Sequence, residues 1–331
     1  MPGFPEVDIP VVDLDSLSSW GKASASGTVA DLVEAFSGIG FAFVTGHGVD
    51  LETLAALQDL LPRVFAADQG TKTRWQIDRE NYRGYIPLEF FTPNRHDGTS
   101  SPDSYEGFKL HWECPDDHPI RDECPLYGSN RWPDHLPGMA EVVLEYWVGC
   151  DRLSATLLEA LADASGIDPT ALLALFDAPL TNMTLLHYPP GPPTGESLGI
   201  HPHKDISAVT ILHPDPAGGL DVQGRDGRWV EAVGPPEALL VNVGDLLELW
   251  SGGRFVSTPH RVVNRTDNDR YSAPYFAVPN HGVVVEPLVE PVPGFRRDPI
   301  PVGEVSAEVW RTNWPDENPS EAGYHLGTLG E

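Results

Sequence analysis

Apolar residues recur at helical spacing through much of the first half of the chain. Intervals of three and four residues predict helices over residues 28–36 and 51–65, with a short buried strand at 41–44 between them. The clearest predicted helix begins near Pro137, which suits a first helical turn, and ends at Gly166. Residues 81–131 are rich in Pro, Asp and Tyr and are predicted to be irregular.

The pattern changes after residue 180, where short β-rich runs alternate with Gly, Pro, Asn and Asp. About eight strands at this spacing favour a sandwich or jelly roll, which buries sheet edges by folding double. The predicted fold is mainly β with flanking helices around a double-stranded β-helix (jelly-roll) core. The predicted strands are 183–188, 208–212, 220–222, 229–233, 238–243, 246–250, 261–264 and 272–278.

We expect residues 1–331 to form a single domain. Within it, residues 1–180 are predicted to form a mostly helical N-terminal part, and 181–285 the jelly-roll core that carries the chemistry. Residues 286–331 are the C-terminal segment, with a short helix predicted near 303–313.

Composition narrows the classes of partner. The 331 residues include 49 acidic and 21 basic side chains, and the net charge of −28 disfavours nucleic acid and anionic membranes as partners. We expect neither a signal peptide nor a transmembrane helix, because no stretch has the required apolar length. Cys114, Cys124 and Cys150 are too few and too scattered for a disulfide framework, so a cytoplasmic location is expected.

The central chemical pattern is His203-Lys204-Asp205 followed by His260. Two imidazoles and one carboxylate form the facial triad of non-haem iron(II) oxygenases, which leaves coordination positions open for substrate and O2. His203 and Asp205 directly precede a predicted strand, so both side chains can leave one face of an extended segment. His260 follows several strands later, where the chain can return to the same opening.

Other residues offer rival metal ligands. His213-Pro214-Asp215 has the same spacing as the first pair, but it follows a strand, and its carboxylate is predicted to stabilise a turn. His201 is predicted to lie at the surface or to support the site rather than to bind metal. Zinc is disfavoured, because Cys114, His118 and Cys124 have no fourth ligand at convincing spacing.

A carboxylate-binding pattern follows the predicted metal ligands. Arg270 and Ser272 flank Tyr271 directly before a run of strand-forming residues, so they are predicted to point to one face. A guanidinium and a hydroxyl in this arrangement can hold a carboxylate, and Tyr188 is a candidate third donor.

The chain resembles the isopenicillin N synthase-like family of iron(II)- and 2-oxoglutarate-dependent dioxygenases, over nearly its whole length. The resemblance begins with Ile9-Pro10-Val11-Val12-Asp13-Leu14 and Gly40-Phe41-Ala42-Phe43-Val44-Thr45-Gly46-His47-Gly48. It continues in the metal and carboxylate motifs and in Asn81-Tyr82-Arg83-Gly84-Tyr85, Gly219-Leu220-Asp221-Val222, Asn242-Val243-Gly244-Asp245 and Ser257-Thr258-Pro259-His260-Arg261-Val262.

The resemblance implies that His203, Asp205 and His260 bind Fe(II), and that Arg270, Ser272 and Tyr188 hold the distal carboxylate of the co-substrate 2-oxoglutarate. It implies an oxygenase that hydroxylates, desaturates or cyclises at an unactivated C–H of a small molecule, using O2 and releasing succinate and CO2. The chain departs from the family at Leu186, where Asn is frequent, and at Ser207, where Gly is frequent.

Candidate substrate contacts come from the irregular region and from aromatic residues near the predicted core. They are Tyr82, Tyr85, Lys109, His111, Phe255, Phe276 and Trp310, and Lys109 or His111 could pair with a substrate carboxylate. The alternatives are an iron-dependent oxidase of the isopenicillin N synthase type, which uses no 2-oxoglutarate, and a non-catalytic jelly-roll binding module. We expect a monomer with a role in specialised metabolism.

Overall fold

The computed structural model describes residues 9–18, 26–91, 101–190, 198–312 and 314. These residues form nine helices, a 3₁₀ turn at Ala174–Phe176 and fifteen strands. The helices are α1 Asp15–Ser18, α2 Ser26–Gly38, α3 Leu51–Phe65, α4 Gln69–Thr73, α5 Ile120–Glu123, α6 Met139–Ser165, α7 Pro169–Leu173, α8 Asp245–Trp250 and α9 Val302–Thr312.

The longest helix, α6, begins and ends at glycine. Gly138 precedes the helix and Gly166 follows it, with φ angles of 87° and 80°. Both angles lie in the left-handed region, where a residue without a Cβ meets little steric cost. The predicted limits near Pro137 and Gly166 are therefore confirmed.

The strands are β1 Val11–Asp13, β2 Phe41–Thr45, β3 Gly84–Ile86, β4 Glu106–His111, β5 Asn182–Tyr188, β6 Ile200–His203, β7 Val209–Leu212, β8 Leu220–Gln223, β9 Trp229–Glu231, β10 Leu239–Val243, β11 His260–Val262, β12 Arg270–Ser272, β13 Tyr275–Phe276, β14 Val284–Val285 and β15 Ile300–Pro301. A large sheet has the order β1-β2-β10-β7-β13-β5-β4-β3, with β12 also paired to β5. A small sheet has the order β6-β11-β8-β9, and β14 pairs with β15.

Alternate residues of the large sheet enter two different hydrophobic clusters. Ala42 and Leu185 belong to the main core, which also contains the apolar faces of α2, α3 and α6. Their strand neighbours Phe41 and Leu186 belong to a second cluster, together with Val222 and other residues of the small sheet. One face of the large sheet therefore packs against helices, and the other, called the inner face below, faces the small sheet. This is the predicted jelly-roll core with flanking helices.

Three parts of the predicted secondary structure were wrong or incomplete. Residues 246–250 were predicted as a strand but lie in helix α8. The region 81–131, predicted to be irregular, contains β3 and β4, so the N-terminal part contributes four strands to the large sheet. The predicted strand 272–278 is divided into β12 and β13, which pair with different parts of β5.

None of the helices in the described ranges has the length and apolar character needed to cross a bilayer. The longest, α6, carries charged residues along its exposed side.

A buried ionic network stabilises the helix-covered face of the large sheet. The Glu106 carboxylate accepts hydrogen bonds from Lys72 Nζ at 2.7 Å, Tyr85 Oη at 2.6 Å and His187 Nδ1 at 2.8 Å. Burial raises the pKa of Glu106, but the bonds from His187, Lys72 and Tyr85 outweigh it and lower the pKa to about 2. The carboxylate is therefore ionised and paired throughout the neutral range.

Replacing Glu106 by Gln should lower the free energy of unfolding by about 3 kcal/mol at pH 7, because Lys72 loses its buried counterion. The folded pKa is lower than the ordinary value of 4.5, so the carboxylate's contribution is complete above pH 4.5 and is lost as the pH falls towards about 2. In urea unfolding, the difference between wild type and Glu106→Gln should therefore be smaller at pH 3 than at pH 7.

Glu145→Gln is the matched control, because Glu145 is an exposed carboxylate on α6. It should change the free energy of unfolding by about 0.5 kcal/mol or less. Equal losses in the two variants would show that the Glu106 network has no special role in stability.

Candidate metal centre

The pairing of β6 with β11 places two histidines side by side. His203 and His260 are partners in the antiparallel register, and their ring centroids are 4.3 Å apart. Phe41 of the large sheet packs edge-on against His260, with ring centroids 5.5 Å apart. The two imidazoles therefore lie at one end of the space between the sheets.

Asp205 reaches the same point from the turn that joins β6 to β7. Its Oδ1 lies 3.6 Å from Nε2 of His203 and 3.5 Å from Nε2 of His260. Among the described residues, this is the one group of His, Cys, Asp or Glu side chains whose ligand atoms all lie within 4.8 Å of one another. The prediction that these three distant residues converge is confirmed.

Backbone carbonyls determine which nitrogen of each ring faces the carboxylate. Nδ1 of His203 lies 2.8 Å from the His201 carbonyl oxygen, and Nδ1 of His260 lies 3.2 Å from that of Thr258. A carbonyl can only accept, so each Nδ1 carries a proton and Nε2 of each ring is the nitrogen that faces Asp205. This is the tautomer that a metal-binding imidazole requires.

The second oxygen of Asp205 is held by the large sheet. Oδ2 accepts hydrogen bonds from Thr210 Oγ1 at 2.7 Å and Asn242 Nδ2 at 2.8 Å. Burial raises the pKa of Asp205, but the neighbouring His260, His203 and Asn242 outweigh it and hold the pKa far below its usual range. Burial and the nearby His260 lower the pKa of His203 to about 3, so this ring is neutral at pH 7.

The donor set fits a divalent metal ion. Two neighbouring ligands of an octahedral ion at about 2.1 Å lie about 3 Å apart, close to the observed separations. Two nitrogens and one oxygen without sulfur match the iron(II) triad and leave other positions open. Cys114 and Cys124 are buried free thiols outside this group.

The neighbouring histidines have other roles. The His201 ring contacts Asp103, with Nδ1 2.5 Å from Oδ1, while its carbonyl orients His203. Nδ1 of His213 lies 3.2 Å from Nε2 of Gln58. Asp215 accepts hydrogen bonds from two backbone amides, one of them in its own turn, as predicted.

The predicted carboxylate clamp lies on β12 and β5. Arg270 pairs with Tyr188 and Ser272 with Leu186, and both Arg270 and Tyr188 are almost fully buried. Arg270 Nε donates to the Gly218 carbonyl at 2.6 Å, whereas its buried Nη1 has no hydrogen-bond partner within the described part of the chain.

The hydroxyl groups of the clamp stand close to the guanidinium. Ser272 Oγ is 3.5 Å from Tyr188 Oη, and Arg270 Cζ is 4.7 Å from the centre of the Tyr188 ring. Burial raises the pKa of Tyr188, so its hydroxyl stays protonated. A buried guanidinium nitrogen without a partner is what a carboxylate ligand would satisfy.

The predicted substrate contacts that lie on the large sheet are divided between its two faces. Lys109, His111 and Phe276 lie on the inner face of the large sheet, by the register of β4, β5 and β13. Tyr85 points to the helix-covered face, where its hydroxyl donates to Glu106.

The remaining candidates belong to other clusters, or their side chains are not described. Tyr82 packs against Phe91 and Trp314, and Phe255 is fully buried in the main core. Trp310 belongs to α9, but its side chain lies outside the described residues.

Sequence reasoning missed Thr210 and Asn242, which position Asp205. Both lie on strands opposite each other in β7 and β10. Each is a polar residue within an otherwise apolar strand, and such a residue needs a buried partner. A polar residue within an apolar strand was therefore the sequence signal that could have identified Thr210 and Asn242.

The sequence matches two family models. Residues 180–279 match the 2OG-Fe(II) oxygenase superfamily, and residues 9–135 match the N-terminal region described for the non-haem dioxygenase in morphine synthesis. The first match contains His203, Asp205 and His260.

Curated relatives extend along nearly the whole chain. A 2-oxoglutarate-Fe(II) type oxidoreductase from Aspergillus fumigatus is 31% identical over 317 residues, covering 91% of this chain and 92% of that protein. The 2-oxoglutarate-dependent dioxygenase thnC from Trichoderma harzianum is 27% identical over 285 residues, covering 82% and 84%.

Solved structures agree with the fold. The crystal structure of JOX2 in complex with 2OG, Fe and JA gives a TM-score of 0.77 at 25% identity, covering 98% of this chain and 90% of that one. A 2OG-Fe(II) oxygenase family protein from Caulobacter crescentus gives 0.76 at 27% identity, covering 92% and 98%.

Replacing His260 by Ala should weaken Co(II) binding by about 100-fold or more, because one of three converging donors is lost. Isothermal titration of the metal-free protein measures the affinity. His213→Ala is the matched control, since it removes an imidazole outside the triad, and it should bind Co(II) like the wild type. Similar affinities in all three proteins would contradict the assignment of the site.

Proposed function

This chain belongs to the 2-oxoglutarate- and iron(II)-dependent oxygenase superfamily, and we propose that it oxidises an unactivated C–H bond of a small molecule. Hydroxylation is the simplest outcome, with desaturation or cyclisation as other outcomes of the same oxidation. The observation that carries the proposal is a converging triad together with a buried guanidinium whose Nη1 has no hydrogen-bond partner in the described part of the chain.

His203, Asp205 and His260 would hold the iron. Bound iron supplies O2 activation coupled to the conversion of 2-oxoglutarate into succinate and CO2. The protein's contribution to this chemistry is to orient the ligands and the substrate. Thr210 and Asn242 keep one carboxylate oxygen of Asp205 occupied, so that the other faces the imidazoles.

Arg270, Ser272 and Tyr188 would bind the distal carboxylate of 2-oxoglutarate. The Gly218 carbonyl occupies Arg270 Nε and leaves Nη1 for the ligand. The surrounding apolar cluster, which includes Leu186 and Val262, excludes water and strengthens the charge-assisted bonds. Leu186 has no side-chain amide that could bind 2-oxoglutarate. The proposed binding of the co-substrate therefore depends on Arg270.

The inner face of the large sheet would hold the substrate. Lys109, His111 and Phe276 lie along it, and their strands lead directly to Thr210 beside Asp205. A substrate on this surface would present its C–H bond to the metal centre, and fixed orientation is a large part of the rate enhancement that a protein can supply.

The proposed cellular location and metabolic role are supported by the cysteines and by the names of relatives. The three cysteines are free thiols, which suits the reducing cytoplasm that we propose as its location. Several relatives have names that refer to small molecules, such as gibberellin 2-beta-dioxygenase 6 from rice at 29% identity. These names support a role in specialised metabolism, and we propose that the enzyme acts as a monomer.

The wild-type protein with Fe(II), O2 and a panel of small metabolites should release succinate only when 2-oxoglutarate is supplied. Mass spectrometry of the products and a succinate assay measure the two sides of the reaction. Substrate oxidation and O2 uptake without 2-oxoglutarate would instead identify the oxidase alternative. Binding of metabolites without any oxidation would favour the binding module.

Arg270→Gln should weaken 2-oxoglutarate binding to the Mn(II)-loaded protein by about 100-fold, because the ligand carboxylate loses its charged partner. Anaerobic isothermal titration measures this affinity. The control is Arg228→Gln, since Arg228 is a largely exposed arginine paired with Asp226. Unchanged affinity in Arg270→Gln would remove Arg270 from the proposed clamp.

A further inference from the structure

We propose that Lys109, together with Asn182 and Thr184, binds a carboxylate group of the substrate. The inference rests on the proposed oxygenase function and specifies its substrate class: small anionic molecules that carry a carboxylate apart from the oxidised carbon. This anion site would be separate from the Arg270 clamp, which serves the co-substrate.

A row of cross-strand neighbours connects the Lys109 region to the metal centre. His111 pairs with Asn182, Asn182 with Phe276, Phe276 with Thr210, and Thr210 with Asn242. Directly paired residues in a sheet share a face, so the whole row lies on one surface. The last two members bond to Asp205, and the surface is therefore a wall of the space that contains the triad.

Lys109 lies on the same wall, two residues before His111. It pairs with Thr184, which is two residues from Asn182 on β5. From β4 to β7 the row crosses three interstrand spacings, or about 14 Å of sheet at about 4.8 Å each. A molecule of a few carbons to a few rings can span this distance, which suits a small metabolite rather than a polymer.

The Lys109 ammonium has neutral hydrogen-bond partners but no counterion among the described residues. Its Nζ donates to Asn182 Oδ1 at 2.7 Å and to Thr184 Oγ1 at 3.1 Å, and it lies 5.7 Å from the centre of the Phe276 ring. An ammonium has three donors, so these two bonds leave one available. Among the described residues, no carboxylate lies within ion-pair distance of it.

The lowered pKa of Lys109 shows that its surroundings disfavour the charged form. Burial, with a smaller effect of the nearby Arg83, lowers the pKa of Lys109 to about 7. Lys72, on the other face of the sheet, has a carboxylate partner 2.7 Å away. A partly buried cation without a counterion is destabilising, and an incoming anion would reduce that penalty.

The Lys109 side chain is also not completely covered by protein. Lys109, Asn182 and Phe276 all keep partial exposure, as does His203 of the triad. Partial exposure on the inner face leaves these side chains within reach of a small ligand. The ammonium, two polar anchors and one aromatic ring thus lie on the same face of the sheet as Thr210 and Asn242, the two residues that hold Asp205.

The test compares carboxylates with their own carboxamides. Wild-type protein loaded with Mn(II) and 2-oxoglutarate is titrated anaerobically with a panel of aliphatic and aromatic monocarboxylates, each paired with its carboxamide. The proposal expects at least one carboxylate to bind about 10-fold or more tightly than its amide. That preference should be lost in Lys109→Met and Lys109→Gln, with carboxylate affinity about 30-fold or more weaker, and partly restored in Lys109→Arg.

Thermal unfolding separates recognition from a structural role. Because Lys109→Met removes an unneutralised buried charge, it should melt no lower than the wild type, even though it binds carboxylates poorly. A carboxylate preference that survives in Lys109→Met or Lys109→Gln would overturn the proposal, as would the absence of any such preference in the wild type.

Failure of this inference is distinguishable from failure of the oxygenase function. If wild-type protein binds no 2-oxoglutarate and forms no succinate with any substrate, the proposed function is wrong. If succinate forms with neutral substrates and carboxylates have no advantage, the function stands and Lys109 is not an anion site.

Discussion

The carboxylate of Asp205 connects the two sheets of this fold at the metal centre. One oxygen faces the two imidazoles presented by the small sheet, and the other accepts bonds from Thr210 and Asn242 of the large sheet. Neither sheet alone could complete the site. The centre therefore exists only when β6 and β11 have paired and have closed over β7 and β10, so its geometry depends on the whole jelly roll.

The two faces of the large sheet treat charge in opposite ways. On the helix-covered face, Glu106 is surrounded by Lys72, Tyr85 and His187, so that every charge has a partner. On the inner face, Arg270 has a free nitrogen and Lys109 has only neutral partners among the described residues. The first arrangement stabilises the fold. The second leaves binding capacity for ligands and lowers stability at the place where ligands are expected.

Much of the architecture could be predicted from the sequence, because the spacing of apolar residues and the positions of Gly and Pro reflect local backbone preferences. The limits of α6 followed from Pro137 and Gly166, and the convergence of His203, Asp205 and His260 followed from their places among predicted strands. Helix α8 was missed, since a short apolar run buried on all sides has no periodicity that separates helix from strand. Strand β4 was missed although Phe108 and Leu110 alternate with polar residues, because that alternation is short and lies within a Pro-rich region.

The position of His201 shows what sequence spacing cannot reveal. The register of β6 against β11 shifts between His260 and Val262, so β6 contains an irregularity at the site, next to Pro202. Such a bulge breaks the two-residue alternation, and it allows His201 to contact Asp103 while His203 faces the triad. The residues' order alone gave no indication of this.

The same irregular strand has a mechanical consequence. Through His201, β6 is fastened to Asp103 and to Ser101, whose Oγ is 3.1 Å from the other ring nitrogen. The same strand thus carries His203 and, two residues earlier, the ring that contacts Ser101 and Asp103. A displacement of Ser101 and Asp103 would therefore be transmitted through His201 to the backbone carbonyl that orients His203.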